Sequence, residues 1–247
     1  MASHRLLDEI DLSAAPRGSA IVEVGSVRES GDDMPSSLYL WKKAEAFGLE
    51  FFTVDFSPAS WRLAQQYVGS RAVLEEGTAF LSRFDRKIAV LYLDNFDYPS
   101  DARHAQELEA RCGQVYRDQG QTMTRAESVR VHGQQFQAAV DKMSRQSWLI
   151  IDNTYRQPLG LHRIRQPFWG KGQRVVPLAL RHGFRIAKEG CSGMMLSRSS
   201  QPVLAPERWL QLYCGGGRTA GLYQALGFQP PMMVGGSGSM SSPTVVA

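Results

Sequence analysis

Cysteine is scarce in this chain of 247 residues: there are three, Cys112, Cys191 and Cys214, far apart and without C-x-x-C spacing. A small, odd and scattered set argues against a disulfide framework or a zinc site and fits free thiols in a reducing compartment. Long apolar runs are missing too. No stretch approaches the roughly 18 apolar residues that span a bilayer, and the opening MASHRLLDEIDL is charged where a signal peptide is apolar. The expectation is a cytoplasmic chain with no membrane partner. Charge of one sign is also lacking: Lys and Arg total 28 against 24 Asp and Glu, a net +4 that permits nucleic-acid or acidic partners without demanding them. Neither G-x-x-x-x-G-K-[ST] nor a full G-x-G-x-x-G occurs, which disfavours a nucleoside triphosphate or a dinucleotide. There is no internal repeat.

What the chain has is a core, since 43% of its residues are hydrophobic, and a regular alternation of elements. Ala20 to Val24, Leu49 to Val54, Ile88 to Leu93 and Trp148 to Ile151 are short apolar runs ending in polar or glycine-bearing turns, which predicts buried strands. Helical patterns stand between them at Ser37 to Phe47, at Pro58 to Tyr67 behind the capping candidate Ser57, and at Thr78 to Phe84. Strand alternating with helix is the mark of parallel βαβ units. After Asp94 the crossover carries two helical stretches, Ala102 to Tyr116 and Ser128 to Met143, where one would serve. Beyond Asp152 come a helix, Lys171 to His182, closed by Gly183, and two terminal strands at Phe184 to Ala187 and Gly193 to Ser197.

Parallel sheets bind ligands outside the carboxyl ends of their strands, so the residues after each apolar run are the informative ones. They are Glu23-Val24-Gly25-Ser26, Asp55-Phe56-Ser57, Glu76-Gly77-Thr78-Ala79, Asp94-Asn95 and Asp152-Asn153. Asp55 could accept hydrogen bonds from both hydroxyls of a ribose, and Gly25 lets the first turn approach a ligand closely. Taken singly, Asp55 with Ser57-Pro58 also reads as a capped helix start and Gly77-Thr78 as a turn.

In order and spacing these edges resemble a class I S-adenosylmethionine-dependent methyltransferase: VEVGS looks like its first motif, TVDFS its ribose-binding acidic motif and EEGTAFL its adenine-contacting turn. The resemblance covers about Ser19 to Arg198. It implies a Rossmann-like, doubly wound α/β fold: a mostly parallel seven-stranded sheet with helices on both faces and an antiparallel C-terminal strand. It also implies S-adenosylmethionine as cofactor, held by Glu23, Gly25, Ser26, Arg28, Ser37, Asp55, Phe56, Ser57, Gly77, Thr78 and Asp94. Val27 and Arg28 stand where further glycines are usual. Domain boundaries follow: residues 1–198 as the methyltransferase-like domain with a helical insertion around 99–127, residues 199–230 as a helical extension, and residues 231–247, rich in Gly, Ser and Pro, as a disordered tail.

Asp94, Asp152 and Asn153 would bring hard oxygen ligands together, a set suited to Mg²⁺. LYLDNFDY and IDNTYR resemble the Asp and Asp-Asn elements with which catechol and caffeoyl-coenzyme A type O-methyltransferases bind a divalent cation. Those enzymes carry a lysine three residues after the first metal aspartate, where this sequence has Asp97. His132 is then the first candidate base, with His104 and Asp97 behind it; the alternative for His132 is a surface position on an amphipathic helix. The loop from Tyr155 to Gln173 interleaves Arg156, His162, Arg163, Arg165 and Lys171 with Phe168 and Trp169, either to contact an acidic or planar acceptor or as a solvated lid. The leading expectation is methyl transfer to oxygen of a small-molecule acceptor. The alternatives are a nucleic-acid or protein methyltransferase using the basic loop 156–173, and a non-catalytic cofactor-binding module; a homodimer is left open.

Overall fold

The structure, a computed structural model, describes residues 6–8, 10, 12–27, 35–99, 101–156, 168–190 and 193–198. Arg28, most of the basic loop, Cys191, Cys214 and everything assigned to the extension and tail lie outside the described residues.

The chain runs β1 (Ala20–Val24), α1 (Ser36–Ala46), β2 (Glu50–Asp55), α2 (Pro58–Val68), β3 (Ala72–Leu74), α3 (Gly77–Arg83), β4 (Ile88–Leu93), α4 (Ala102–Asp118), α5 (Arg125–Ala139) and β5 (Met143–Asp152). It continues through β6 (Thr154–Arg156), β7 (Phe168–Gly170), α6 (Gly172–Arg181), β8 (Phe184–Glu189) and β9 (Gly193–Arg198). Seven strands form one sheet in the order β3-β2-β1-β4-β5-β9-β8, parallel through β5, with β9 antiparallel to both β5 and β8. This is the expected Rossmann-like, doubly wound arrangement, and its strand order reverses between β1 and β4, where such sheets open a ligand crevice.

Both faces are covered, which is why β1 and β4 are buried along their whole length and read as apolar runs, interrupted only by Glu23 in β1. One core joins Val22, Val24, Leu91 and Leu93 to Phe80, Phe136 and Val175 of α3, α5 and α6. The other joins Ile21, Val90 and Tyr92 to Leu40 and Ala64 of α1 and α2 and to Leu6, Leu7, Ile10 and Leu12. Because side chains alternate along a strand, Glu23 shares the face of Ile21 and points toward α1.

Two expectations need correction. β5 begins at Met143, not Trp148, and its polar first half, Ser144-Arg145-Gln146-Ser147, bends through Gln146 at φ 90° before the apolar half joins β4. The segment taken as a loop after Tyr155 contains a hairpin, with Thr154 to Arg156 paired antiparallel to Phe168 to Gly170.

Candidate functional site at the strand ends

The end of β1 turns sharply at Gly25, whose φ is 95°. A Cβ there would stand 2.3 Å from the Asn95 nitrogen and 2.6 Å from the Asp94 carbonyl carbon. The space a side chain would need is taken by the chain's own β4 turn, so Gly25 locks the ends of β1 and β4 together. Just beyond it, Ser26 donates through its backbone N–H (3.0 Å) and hydroxyl (3.2 Å) to Asp55 Oδ2, and the Ser57 N–H donates to Asp55 Oδ1 at 2.8 Å. Asp55 therefore ties the β1 and β2 turns into one unit. Ser57 also caps α2, its hydroxyl accepting from the Ser60 N–H at 3.4 Å, so the cap and the strand-end carboxylate coexist.

Glu23 is fully buried, and Ser36 and Ser37 in the first turn of α1 each donate a hydroxyl to it at 2.6 Å. Burial pushes its carboxyl up to about 7, against the opposing effect of the two serines, and the charge of Asp94 adds to the rise. The folded state thus holds the proton more tightly than the unfolded chain. Stability from this group is full below the ordinary value of 4.5 and is lost as pH rises through about 7, by ~3 kcal/mol in all. Glu23→Gln should remove that loss, so urea unfolding at mildly alkaline pH should find the variant more stable than the wild type and at acid pH about equal. Equal stabilities at alkaline pH would refute it.

The turn after β3 is a capped helix start. Glu76 accepts from the Ala79 N–H (2.9 Å) and the Thr78 hydroxyl (3.0 Å), and a Cβ on Gly77 would lie 2.4 Å from Val24 Cγ1 and 2.8 Å from Gln135 Nε2. Gly77 thus seats α3 against β1 and α5; the space beside it belongs to Val24 and Gln135. Above these ends, Tyr116 of α4 packs edge-on against Phe56 (5.2 Å between centroids) and Phe96 (4.5 Å). Phe56 follows β2 and Phe96 follows β4, the two neighbours of β1, so the ring of Tyr116 bridges over the end of β1. Tyr116 belongs to α4, within the stretch 99–127 read from the sequence as an insertion.

Asp94 and Asp152 end the adjacent strands β4 and β5, as the sequence suggested, but a cation already stands between them. Lys171 Nζ donates to Asp94 Oδ1 at 2.8 Å and to the Asp94 carbonyl at 3.1 Å, and lies 3.6 Å from Asp152 Oδ2. Lys171 is 1% exposed. Tyr92 donates its hydroxyl to the other oxygen of Asp94 at 2.9 Å. Among the described residues no three His, Cys, Asp or Glu side chains gather as a metal would need. The residues present do not fit Mg²⁺ in the expected place, because a fixed ammonium occupies it and repels a second cation. The sequence reading missed Lys171 by counting it among surface cations of the loop. The available signal was its setting, Gly170-Lys171-Gly172, since a lysine between two glycines marks backbone held in close quarters.

His132 is fully buried on α5, with Nδ1 2.6 Å from the Ser128 carbonyl. Burial, with the ammonium of Lys171 adding, pushes it down to about 3. A ring that weak in proton affinity is neutral near neutral pH, and it is buried rather than on the surface, the alternative expected for it. Nδ1–H donates to Ser128, leaving Nε2 as an acceptor without a partner in good hydrogen-bond geometry, although the Asn95 backbone lies close enough to favour the charged ring. Asn95 Oδ1 and both amide atoms of Gln135 are likewise buried and unpartnered. Asp97 sits beside α4, with Cys112 Sγ 3.9 Å and Arg111 4.0 Å from Oδ2. His104 is half-buried in the first turn of α4, where its backbone N–H is capped by Asp101. Phe96 and Asn153 have φ of 50° and 46°, so left-handed non-glycine residues follow both β4 and β5.

Of the basic loop, Arg156 is paired with Glu189 and Lys171 is internal, which withdraws two of its cations from solvent. Trp169 is half-exposed, packed edge-on against Tyr98 at 5.7 Å with Arg125 over its ring at 5.0 Å.

No family model matches the chain, and no curated protein matches it. Solved structures do. TrmN from Thermus thermophilus aligns over 79% of this chain and 48% of its own length at 11% identity and a TM-score of 0.43, so this chain spans about half of that protein. A TehB-like SAM-dependent methyltransferase from Corynebacterium glutamicum aligns over 80% of this chain and 87% of its own at 15% identity and a TM-score of 0.40. A SAM-dependent methyltransferase from Bacteroides fragilis, in complex with S-adenosyl-L-homocysteine, aligns over 76% and 75% at 12% identity and a TM-score of 0.39.

Among the described residues no helix is long and apolar enough to cross a membrane.

Proposed function

We propose that this chain is an S-adenosylmethionine-dependent methyltransferase acting at oxygen on a small-molecule acceptor. The observation that carries the reading is the placing of Asp55: a carboxylate at the carboxyl end of β2, tied through Ser26 to the turn of β1, the strand beyond which the order reverses. A ribose beside that turn would find an acceptor for its hydroxyls. The unpartnered Asn95 Oδ1, His132 Nε2 and Gln135 amide support a polar ligand nearby, since buried groups of this kind are normally satisfied.

The reading includes no Mg²⁺, whose expected position holds Lys171. Methyl transfer needs an in-line approach of nucleophile to methyl, and a base only where the nucleophile is protonated. With His132 a weak base, the reading favours an acceptor that arrives ionised, such as a carboxylate or an acidic phenol. In this reading α4 with Tyr116 covers the crevice and shields the transfer from water. A second reading, a cofactor-binding module without catalysis, is favoured by the same burial and weak basicity of His132.

Calorimetry with S-adenosylmethionine and S-adenosylhomocysteine tests the reading. Both should bind, and Asp55→Ala should weaken binding about tenfold or more, the weight of charge-assisted hydrogen bonds worth ~1.5–3 kcal/mol. Absence of heat at millimolar ligand would sink it; binding by a chain that methylates no ionised acceptor would turn the reading to the second.

A further inference from the structure

The chain places Lys171 with more structure than a surface cation requires. The β6–β7 hairpin pairs Thr154 with Gly170, the Lys171 N–H donates to the Asn153 carbonyl at 3.1 Å, and the Gly172 N–H donates to Thr154 Oγ1 at 2.8 Å. A Cβ on Gly170 would lie 1.7 Å from the Asn153 oxygen, and one on Gly172 2.4 Å from Thr154 Cγ2. Only glycine on both sides lets the backbone at Lys171 press against the end of β5. From there its side chain reaches, across 77 positions of sequence, the carboxylate and the carbonyl of Asp94.

We propose that Lys171 is a tethered substitute for a divalent cation: its ammonium fills the position between Asp94 and Asp152 and excludes metal, and its removal turns that pair into a divalent-metal site. The donors left behind are two carboxylates, hard oxygen ligands suited to Mg²⁺ or Mn²⁺ with water completing the shell. The charge balance points the same way. Two carboxylates facing each other need a positive partner, and the chain supplies one that cannot dissociate. This inference rests on the contacts of Lys171 and holds whether or not the chain binds S-adenosylmethionine.

The test is Mn²⁺ titration of the full-length chain, read by electron paramagnetic resonance of free Mn²⁺ and by thermal unfolding, so it does not depend on activity. Wild type should leave Mn²⁺ free into the millimolar range. Lys171→Ala should take up one equivalent at least about tenfold more tightly and gain melting temperature with added Mn²⁺. Lys171→Ala with Asp152→Asn should lose both effects. Stoichiometric Mn²⁺ binding by wild type that disappears in Asp152→Asn overturns the proposal, and so does a folded Lys171→Ala that takes up no metal. Should Lys171→Ala not fold without metal, recovery of the fold on adding Mn²⁺ supports the proposal and failure to recover with Mn²⁺ overturns it.

Discussion

Lys171→Met should destabilise the fold by about 3–5 kcal/mol, the cost of removing one partner from a buried ion pair. Methionine nearly matches the length of the lysine stem, so the change isolates the charge from the packing. Asp94 is 30% exposed and Asp152 15% exposed at the side chain, so some water reaches the carboxylates and the lower end of the range is expected. A second substitution separates charge from shape. Lys171→Met with Asp94→Asn removes one of the two facing charges and should recover at least half of the loss, measured as the coupling in a double-mutant cycle. No recovery would mean that Lys171 acts through packing alone.

Gly170→Ala should have a comparable effect for a different reason. The residue has φ of 88°, a conformation that costs any side chain ~1–2 kcal/mol, and the added carbon would lie 1.7 Å from the Asn153 oxygen. That distance is about half a van der Waals contact, and the neighbour is backbone, so relief requires the β6–β7 hairpin to separate from the end of β5. The expected loss is above ~3 kcal/mol. Gly48→Ala is the control. It also has positive φ, 65°, but nothing within 4 Å of a built Cβ, so it should show the conformational cost alone, ~1–2 kcal/mol. Chemical denaturation of both variants checks the difference; equal losses would show that contact with Asn153 contributes nothing.

The wild-type strand ends explain why so much rests on these turns. Gly25 against Asn95, Asp55 bonded to Ser26 and Ser57, and Lys171 between Asp94 and Asp152 join the ends of β2, β1, β4 and β5 in sequence across the sheet. A rigid row of turns is what a ligand site at the carboxyl edge needs, because groups on it keep their spacing when the cover moves. The cover is α4, held to that row by Tyr116.

Much of the fold was legible in the chain because its strands are buried on both faces. Such strands are apolar almost throughout, so Ala20 to Val24, despite Glu23, and Ile88 to Leu93 declared themselves at their observed ends. The start of β5 did not, because Ser144 to Ser147 are polar and lie in the irregular stretch between the pairings of Met143 and Trp148 with β4. β6 and β7 were missed for a related reason: three residues each carry too few positions for alternation to be read.

For the site, the sequence by itself determined which residues stand at the strand ends, since a residue that follows an apolar run is at the sheet edge in any parallel arrangement. Asp55, Asp94 and Asp152 were placed on that ground. Only the tertiary structure decided what each of them faces. The pairing of Lys171 with Asp94 spans 77 positions and depends on a hairpin whose glycines set its approach, and no local pattern encodes it. The burial of His132 was equally hidden, because a helix such as α5 shows its polar residues in sequence without showing which neighbours close over them. Local chemistry fixes the edge of the sheet; the charge that fills the edge is chosen by parts of the chain that meet only when it folds.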